Sequence, residues 1–496
     1  MQTRAIFISL ILTSCASINT VDIRPIKPIR TIEQSAFFQK PTNALCLSGG
    51  GYRAMLFHAG SLLALEQENI LRNMDLISSV SGGSIINAQL ALEWNTLYSK
   101  NVKEDKGLND LVILPIQKLA THTIDVPSVM AGLASPLHSR TGVLSIEYNR
   151  YLFHKKMFSA ISSFNDIDKF PTFIFNTTNL SAGRRWYFSN TFSGGWPYGY
   201  YYRIDAPIAD IVAASSALPP AFKSIDFSLA NAQSTKLIDM KEIDPMSGFA
   251  ADAIGDHLYL VDGGLAGNKG LDTCGAATGL TFVSDASVLP LYDAAKNLDT
   301  LRLSIISSNI VYARAERNES IAVKPKDEAE HAINLFFGKL IADAPSPRPT
   351  EITNGFNRFD QLIYWIEFRK YLNKINADLY PLDDQVKLDL DKVDEIMCFA
   401  MQPTRLAKLN DVEQRSLINF GYLSTISALE WHRITTSTSE ADTRLSLIKF
   451  PREIEPLKIK NKACDERRLD WIRKYLSAER TDARYNIELL GRKYNQ

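Results

Sequence analysis

The sequence predicts an α/β fold, and three observations carry that expectation. Apolar runs of strand length end at glycine- or serine-rich turns, helical patterns open directly after two of those turns, and 496 residues with 45% hydrophobic content can bury a large core. The first run, Ala44-Leu45-Cys46-Leu47, leads into Ser48-Gly49-Gly50-Gly51-Tyr52-Arg53 and then a helical pattern with Met55, Leu56, Ala59, Leu62, Leu63 and Leu65 near one face. A second, with Leu76, Ile77 and Val80, meets Ser79-Val80-Ser81-Gly82-Gly83 and a helix marked by Ile85, Ile86, Ala88, Leu90 and Ala91. The third, Leu258-Tyr259-Leu260-Val261, ends at Asp262-Gly263-Gly264.

Ahead of these elements, Arg4 precedes an apolar-rich stretch from Ala5 to Leu12, followed by Leu12-Thr13-Ser14-Cys15. The stretch is far below the roughly 20 apolar residues that span a bilayer, and it ends in the small residues a signal peptidase requires. It looks like a bacterial lipoprotein signal peptide over residues 1–14. Cys15 would then become the lipidated first residue, anchoring the chain to a membrane. Ala16 after the cysteine suggests sorting to the outer membrane, and residues 15–40, with Pro25 and Pro28 between Thr20 and Glu33, read as a tether.

The chemistry lies in the three turns. Consecutive glycines let backbone N–H groups converge on an anion, so Gly49, Gly50 and Gly51 suit an oxyanion hole. The spacing fits neither G-x-G-x-x-G nor a P-loop, although a glycine turn without a ligand would read the same way. Ser81 sits where a strand turns sharply into a helix, and the helix N-terminus favours developing negative charge. Asp262, at a strand end, suits a general base for a serine, and Asp-Gly alone also suits an ordinary turn.

Together and in this order, the segments resemble the patatin-like phospholipase family, marked by a glycine-rich oxyanion loop, a serine elbow and an Asp-Gly-Gly motif. Phe175-Asn176-Thr177-Thr178-Asn179-Leu180-Ser181-Ala182-Gly183 resembles that family's mid-sheet strand, and Ala213 to Phe222 its alanine/serine segment ending in proline. The resemblance covers about residues 41 to 280. It implies a three-layer α/β/α domain with a central, mostly parallel sheet, a Ser81/Asp262 dyad without a catalytic histidine, and oxyanion donors at Gly49, Gly50 and Gly51. Arg53 matches the family's basic residue after the glycines and either braces the loop or meets a phosphate. The implied reaction is acyl transfer from a phospholipid or lysophospholipid through an acyl-enzyme, with no metal and no cofactor. Two departures stand out: Ser79 where the family favours glycine, and Gly270 where it favours proline, which should loosen that loop.

His257, five residues before Asp262, is the rival catalytic histidine, but strand alternation makes it a poor partner, and His58 reads as structural. Charge balance, 55 basic against 55 acidic residues without a basic block, excludes nucleic acid as an expected partner. Five cysteines are too sparse for a disulfide scaffold, and Cys46 reads as a buried thiol. Residues 99–141 look like an insertion, either a lid or a packed helical excursion, with an apolar part through Val126, Val129, Met130 and Leu133. The aromatic stretch Trp186-Tyr187-Phe188, Phe192, Trp196 and Tyr198 to Tyr202 suits a lipid interface or a hairpin packed on the core.

The catalytic unit is expected over 41–284. Residues 285–496, mainly helical, either complete the fold or form an accessory unit, with strand-like Leu301 to Ile306 and Val386 to Leu390 and an apolar stripe at Leu469, Ile472, Leu476, Ile487 and Leu490. The expected function is a membrane-anchored lipid acyl hydrolase of the bacterial envelope. A lipid- or partner-binding lipoprotein without activity, or an esterase for other acyl esters, is the alternative.

Overall fold

A computed structural model describes residues 20–26, 41–99, 107–135, 138–162, 169–238, 255–274, 279–287, 351–355, 359–375, 393–400 and 404–436, with a few isolated positions. Residues 1–19, and with them Cys15, lie outside this set, as do Leu301 to Ile306, Val386 to Leu390, Leu476, Ile487 and Leu490.

The strands in chain order are β1 (Thr20–Asp22), β2 (Arg24–Pro25), β3 (Ala44–Leu47), β4 (Leu76–Val80), β5 (Thr172–Asn179), β6 (Arg184–Ser189), β7 (Phe192–Gly195), β8 (Gly199–Tyr202), β9 (Ile204–Asp205), β10 (Ile225–Ser228), β11 (Lys236–Ile238), β12 (His257–Asp262), β13 (Thr281–Asp285) and β14 (Glu351–Gly355). The helices are α1 (Gly51–Gln67), α2 (Gly82–Tyr98), α3 (Leu114–Ala120), α4 (Asp125–Ala134), α5 (Arg140–Tyr148), α6 (Ile208–Ser215), α7 (Leu271–Cys274), α8 (Phe359–Ile375), α9 (Val393–Ala400) and α10 (Asp411–Thr436).

Among the described residues one mixed sheet of twelve strands forms the centre. Its core, β14-β13-β3-β4-β5, is parallel, and β6, β7, β8 and β11 continue it antiparallel. Alternation builds two cores, because successive side chains leave opposite faces of a strand. Leu45, Leu47, Ile77, Phe173, Phe175 and Phe282 join the large core under the main helices. Ala44, Cys46, Leu76, Ile174 and Val283 meet Leu271 and Cys274 of α7 on the other face. The result is a three-layer α/β/α fold of the patatin type.

β5 is the axis of the sheet. Along one edge β4 covers Thr172 to Asn176 and β12 covers Thr177 to Asn179, while β6 takes the opposite edge. β4 and the antiparallel β12 therefore meet end to end beside β5. β10 and β1 extend the β12 half.

Two expectations change, and three open ones are resolved. The expected tether begins instead as sheet: β1 pairs with β10, β2 with β9, and Ile23 is fully buried. Apolar Val21 and Ile23 draw this stretch onto the core. Cys46 is not a free thiol but is bonded to Cys274, with Cα atoms 6.1 Å apart, and Cys398 is also disulfide-bonded. Trp186, Phe188, Tyr198 and Tyr201 are core residues of the β6-β7-β8 meander. Within residues 107–135, Val112, Ile113, Ile116, Leu119 and Ile124 bury the inner side of a packed helical excursion. β14 extends the sheet, and α10 packs along α1 so closely that a Cβ on Gly60 would collide with the Ile418 carbonyl and one on Gly421 with that of Phe57.

Candidate active site

Ser81 joins β4 to α2 with φ 50° and ψ −117°, a conformation that non-glycine residues hold only under constraint. The constraint is a hydrogen-bonded cluster behind the turn. The Ser81 N–H donates to Ser215 Oγ (3.0 Å), Ser215 Oγ donates to the Asn176 carbonyl (2.7 Å), and Ser84 Oγ lies 2.9 Å from Ser215 Oγ and 3.1 Å from Ser79 Oγ. Ser79 Oγ donates to the Ile174 carbonyl (2.9 Å) and accepts from Asn87 Nδ2 (2.9 Å). A hydroxyl at position 79 is thus fully used at this crowded corner. Gly82 and Gly83 are required by contact, since a Cβ on either would collide with backbone of Gly51 or of Leu47 and Ser48.

The register brings the acid to the serine. Val80 pairs with Asn176 and Asp262 with Thr177, so the residue after β4 and the last residue of β12 flank the same stretch of β5. Asp262 is 2% exposed and Ser81 7%. One Asp262 carboxylate oxygen accepts from the Gly264 N–H (2.9 Å), and its N–H donates to the Ala217 carbonyl (3.2 Å). Gly263 is needed because a Cβ would collide with the Asn176 carbonyl. His257 lies at the far end of β12 with Nδ1 2.8 Å from Asp226, away from the serine.

The three glycines differ in what their amides do. The Gly49 N–H donates to the Asn268 carbonyl (3.0 Å), so one of the three expected oxyanion donors is already engaged. Gly50 (φ 146°) and Gly51 (φ 61°) take conformations that favour glycine, and no hydrogen bond of their N–H groups is found among the described residues. The loop touches the serine: a Cβ on Gly49 would stand 3.2 Å from Ser81 Cβ.

Arg53 is 4% exposed and donates to the Ala286 carbonyl (3.1 Å) beneath Gly50. Burial lowers its pKa to about 10, against the nearby Asp285 charge, which raises it. Of its two expected roles, the geometry is that of a loop brace. Burial opposes ionisation of Asp285, but Lys269 Nζ at 3.1 Å and Ser287 outweigh it and hold the carboxyl below its usual range. His58 braces the same loop: Nε2–H donates to the Ser48 carbonyl (2.8 Å) and Nδ1 lies 2.8 Å from Ser284 Oγ. Burial lowers its pKa to about 4, so the ring is neutral.

Sequence reasoning missed Asn268, whose carbonyl holds the Gly49 amide, and Arg405, whose carbonyl accepts from the Tyr52 N–H (3.0 Å) and packs against Gly51. Asn268 stands in the stretch after Asp-Gly-Gly that departs from the family at Gly270, whereas Arg405 stands in no recognisable motif. Gly270 does not loosen its loop as expected: its φ of 68° is closed to proline, and its carbonyl accepts from Ser78 (3.2 Å) and Thr273 (2.9 Å). A cavity of about 1040 Å³ lined by Leu114, Lys118 and Glu413 includes none of these residues.

No curated protein matches the chain. Among solved structures, human GIVD cytosolic phospholipase A2 is similar at 15% identity over 64% of this chain and 52% of that one, with a TM-score of 0.32. The same human protein in complex with methyl gamma-linolenyl fluorophosphonate matches at 14% identity, 85% and 60% coverage and a TM-score of 0.40. This chain thus spans between half and two thirds of the human chains it matches. VipD from Legionella pneumophila matches at 12% identity over 86% of this chain and 93% of that one, with a TM-score of 0.24. Residues 45–274 match the family model of the patatin-like phospholipases, and the chain carries a patatin-like phospholipase domain over that span.

Proposed function

We propose that the protein is a membrane-anchored lipid acyl hydrolase of the phospholipase A or lysophospholipase type, working through a Ser81/Asp262 dyad. The observation that carries the reading is the register that ends β4 and β12 on the same stretch of β5, with a strained serine on one side and a buried carboxylate on the other. Asp262 takes the Ser81 hydroxyl proton as Oγ bonds to the ester carbonyl carbon. The carbonyl electron pair moves onto oxygen, where the Gly50 and Gly51 amides stabilise it; losing one such donor costs about 3 to 4 kcal/mol of barrier. Collapse expels the alcohol, which leaves with the proton from Asp262. Water then gives a proton to Asp262, adds to the acyl-serine and releases the fatty acid, and the proton returns to Ser81.

Lipidation of Cys15 and residence in the bacterial envelope, with the outer membrane favoured, belong to the same proposal. They rest on the sequence before Cys15, and the Cys46–Cys274 disulfide supports folding in an oxidising compartment.

Fatty-acid release from phospholipid vesicles tests the activity. Wild type should release acyl chains, and folded Ser81→Ala and Asp262→Asn variants should lose at least about 10³-fold. Release that survives Ser81→Ala would remove the serine from the mechanism. Palmitate labelling lost in Cys15→Ser tests the anchor.

A further inference from the structure

Helix α4 turns a wholly apolar face to solvent. After Asp125 it carries no charged residue, and Val126, Met130 and Leu133, spaced to share one side, are 49, 62 and 56% exposed. Pro127, Ala131 and Ala134 are also exposed, and on α5, the helix packed against α4, Ile146 is 45% exposed. Contiguous exposed apolar surface of this kind marks an interaction site.

Cations stand at both ends of this face. Arg405, 48% exposed, pairs with Asp125 (2.9 Å) at the start of α4. At the other end Arg140 packs on Gly132 and donates to the Pro220 carbonyl (3.0 Å), and Thr141 holds the carbonyl of exposed Lys223. The same residues tie the face to the site, for Arg405 backs Gly51, and Lys223 lies two residues before β10, the neighbour of the strand that ends in Asp262. Arg405 is balanced by Asp125, so the net positive charge lies at the Arg140 and Lys223 end, and an apolar stripe flanked by that charge complements an anionic phospholipid surface.

The N-terminal strand feeds toward that side. Thr20 pairs with Asp226, which pairs with Tyr259, three residues before Asp262. Two strand spacings and three residues of rise place Thr20 about 14 Å from Asp262. The five residues from Cys15 to Asn19 reach at most about 17 Å further.

We propose that the exposed face of α4, with the flanking Arg140 and Lys223, is the surface on which the protein docks to an anionic phospholipid bilayer. The inference takes the partner's chemistry from the catalytic reading. A lipidated Cys15 would then hold the docking face, and with it the end of β12 that carries Asp262, toward the lipid.

The test uses the chain from residue 15 onward, with Cys15→Ser to remove the acyl anchor and Ser81→Ala to separate binding from turnover. Cosedimentation with phosphatidylglycerol/phosphatidylethanolamine vesicles should show binding that weakens with salt. Met130→Glu and Leu133→Glu together should weaken it at least about tenfold. Leu180→Glu, at an equally exposed apolar residue in the β5–β6 turn, should leave it unchanged. Unchanged binding in the double variant overturns the proposal, as does equal loss with Leu180→Glu. A dimer that the double variant dissociates while vesicle binding persists would give the face to a second copy and also overturn it. With Ser81 restored, the double variant should lose vesicle hydrolysis but keep hydrolysis of a soluble short-chain ester. Vesicle binding that follows the expected pattern in a chain that cleaves no ester would sink the catalytic reading and leave the docking face standing.

Discussion

Gly49, Gly50 and Gly51 divide the work of their loop unequally. Gly49 gives its amide to Asn268, and a Cβ there would meet the Asn268 side chain, held by Ser287, and stand 3.2 Å from Ser81 Cβ. A Cβ on Gly51 would meet the Arg405 backbone at a φ of 61°, where a side chain is already strained. Gly51→Ala should therefore lower kcat by about 10² or more with little change in KM in steady-state assays of fatty-acid release. His58 adds a pH dependence. Its native pKa of about 4 lies below the ordinary 6.5, so the unfolded chain binds the proton first as pH falls. The stability it contributes is complete above pH 6.5 and is lost progressively down to pH 4, by about 3 kcal/mol at most. Chemical denaturation at pH 7 and pH 4.5 should show a larger acid loss for wild type than for His58→Gln. The residue types of the site were legible because Ser81, Asp262 and the glycines each end an apolar run. The engaged Gly49 amide was not, because its acceptor lies 219 positions later in the chain.

At the scale of elements, the strands that flank the site were readable from local pattern: Ala44–Leu47, Leu76–Val80 and His257–Asp262 each carry the apolar run that the sheet buries. What no window could reveal is that β12 approaches β5 from the opposite direction to β4, since pairing depends on register across about a hundred residues. The N-terminal strand was hidden for a related reason: Thr20–Asp22 has too few apolar residues to look like a strand, and it is held by Asp226, which accepts from Thr20 Oγ1 (2.7 Å). The contact between α1 and α10 is likewise invisible locally, as Gly60 and Gly421 read as unfavourable positions within helices. In the fold they are where the two backbones touch. Gly421→Val should destabilise the protein by about 3 kcal/mol or more through overpacking, read as a lowered thermal midpoint. Because α1 begins at the oxyanion loop, activity should fall at temperatures where the variant is still folded.

For the molecule as a whole, the Cys46–Cys274 disulfide links the two ends of the catalytic span. Cys46 lies in β3, which leads into the glycine loop, and Cys274 closes α7, nine residues after Leu265 at the end of the Asp-Gly-Gly turn. The bond spans 228 positions, and for so long a loop the chain-entropy model gives about 5 kcal/mol of stabilisation through the unfolded state. Both cysteines are fully buried, so a thiol reductant reaches them only when the fold opens. Brief reductant at 25 °C should therefore leave activity intact. Heating in the same reductant should lower the unfolding midpoint, and a Cys46→Ala/Cys274→Ala variant should show the same lowering without reductant. Equal midpoints for that variant and wild type would mean that contacts across the sheet alone hold β3 to α7: Ser78 Oγ lies 2.6 Å from Thr273 Oγ1 and Asn176 Nδ2 donates to Ser78 Oγ (2.8 Å), which would suffice to keep the glycine loop in register with the serine.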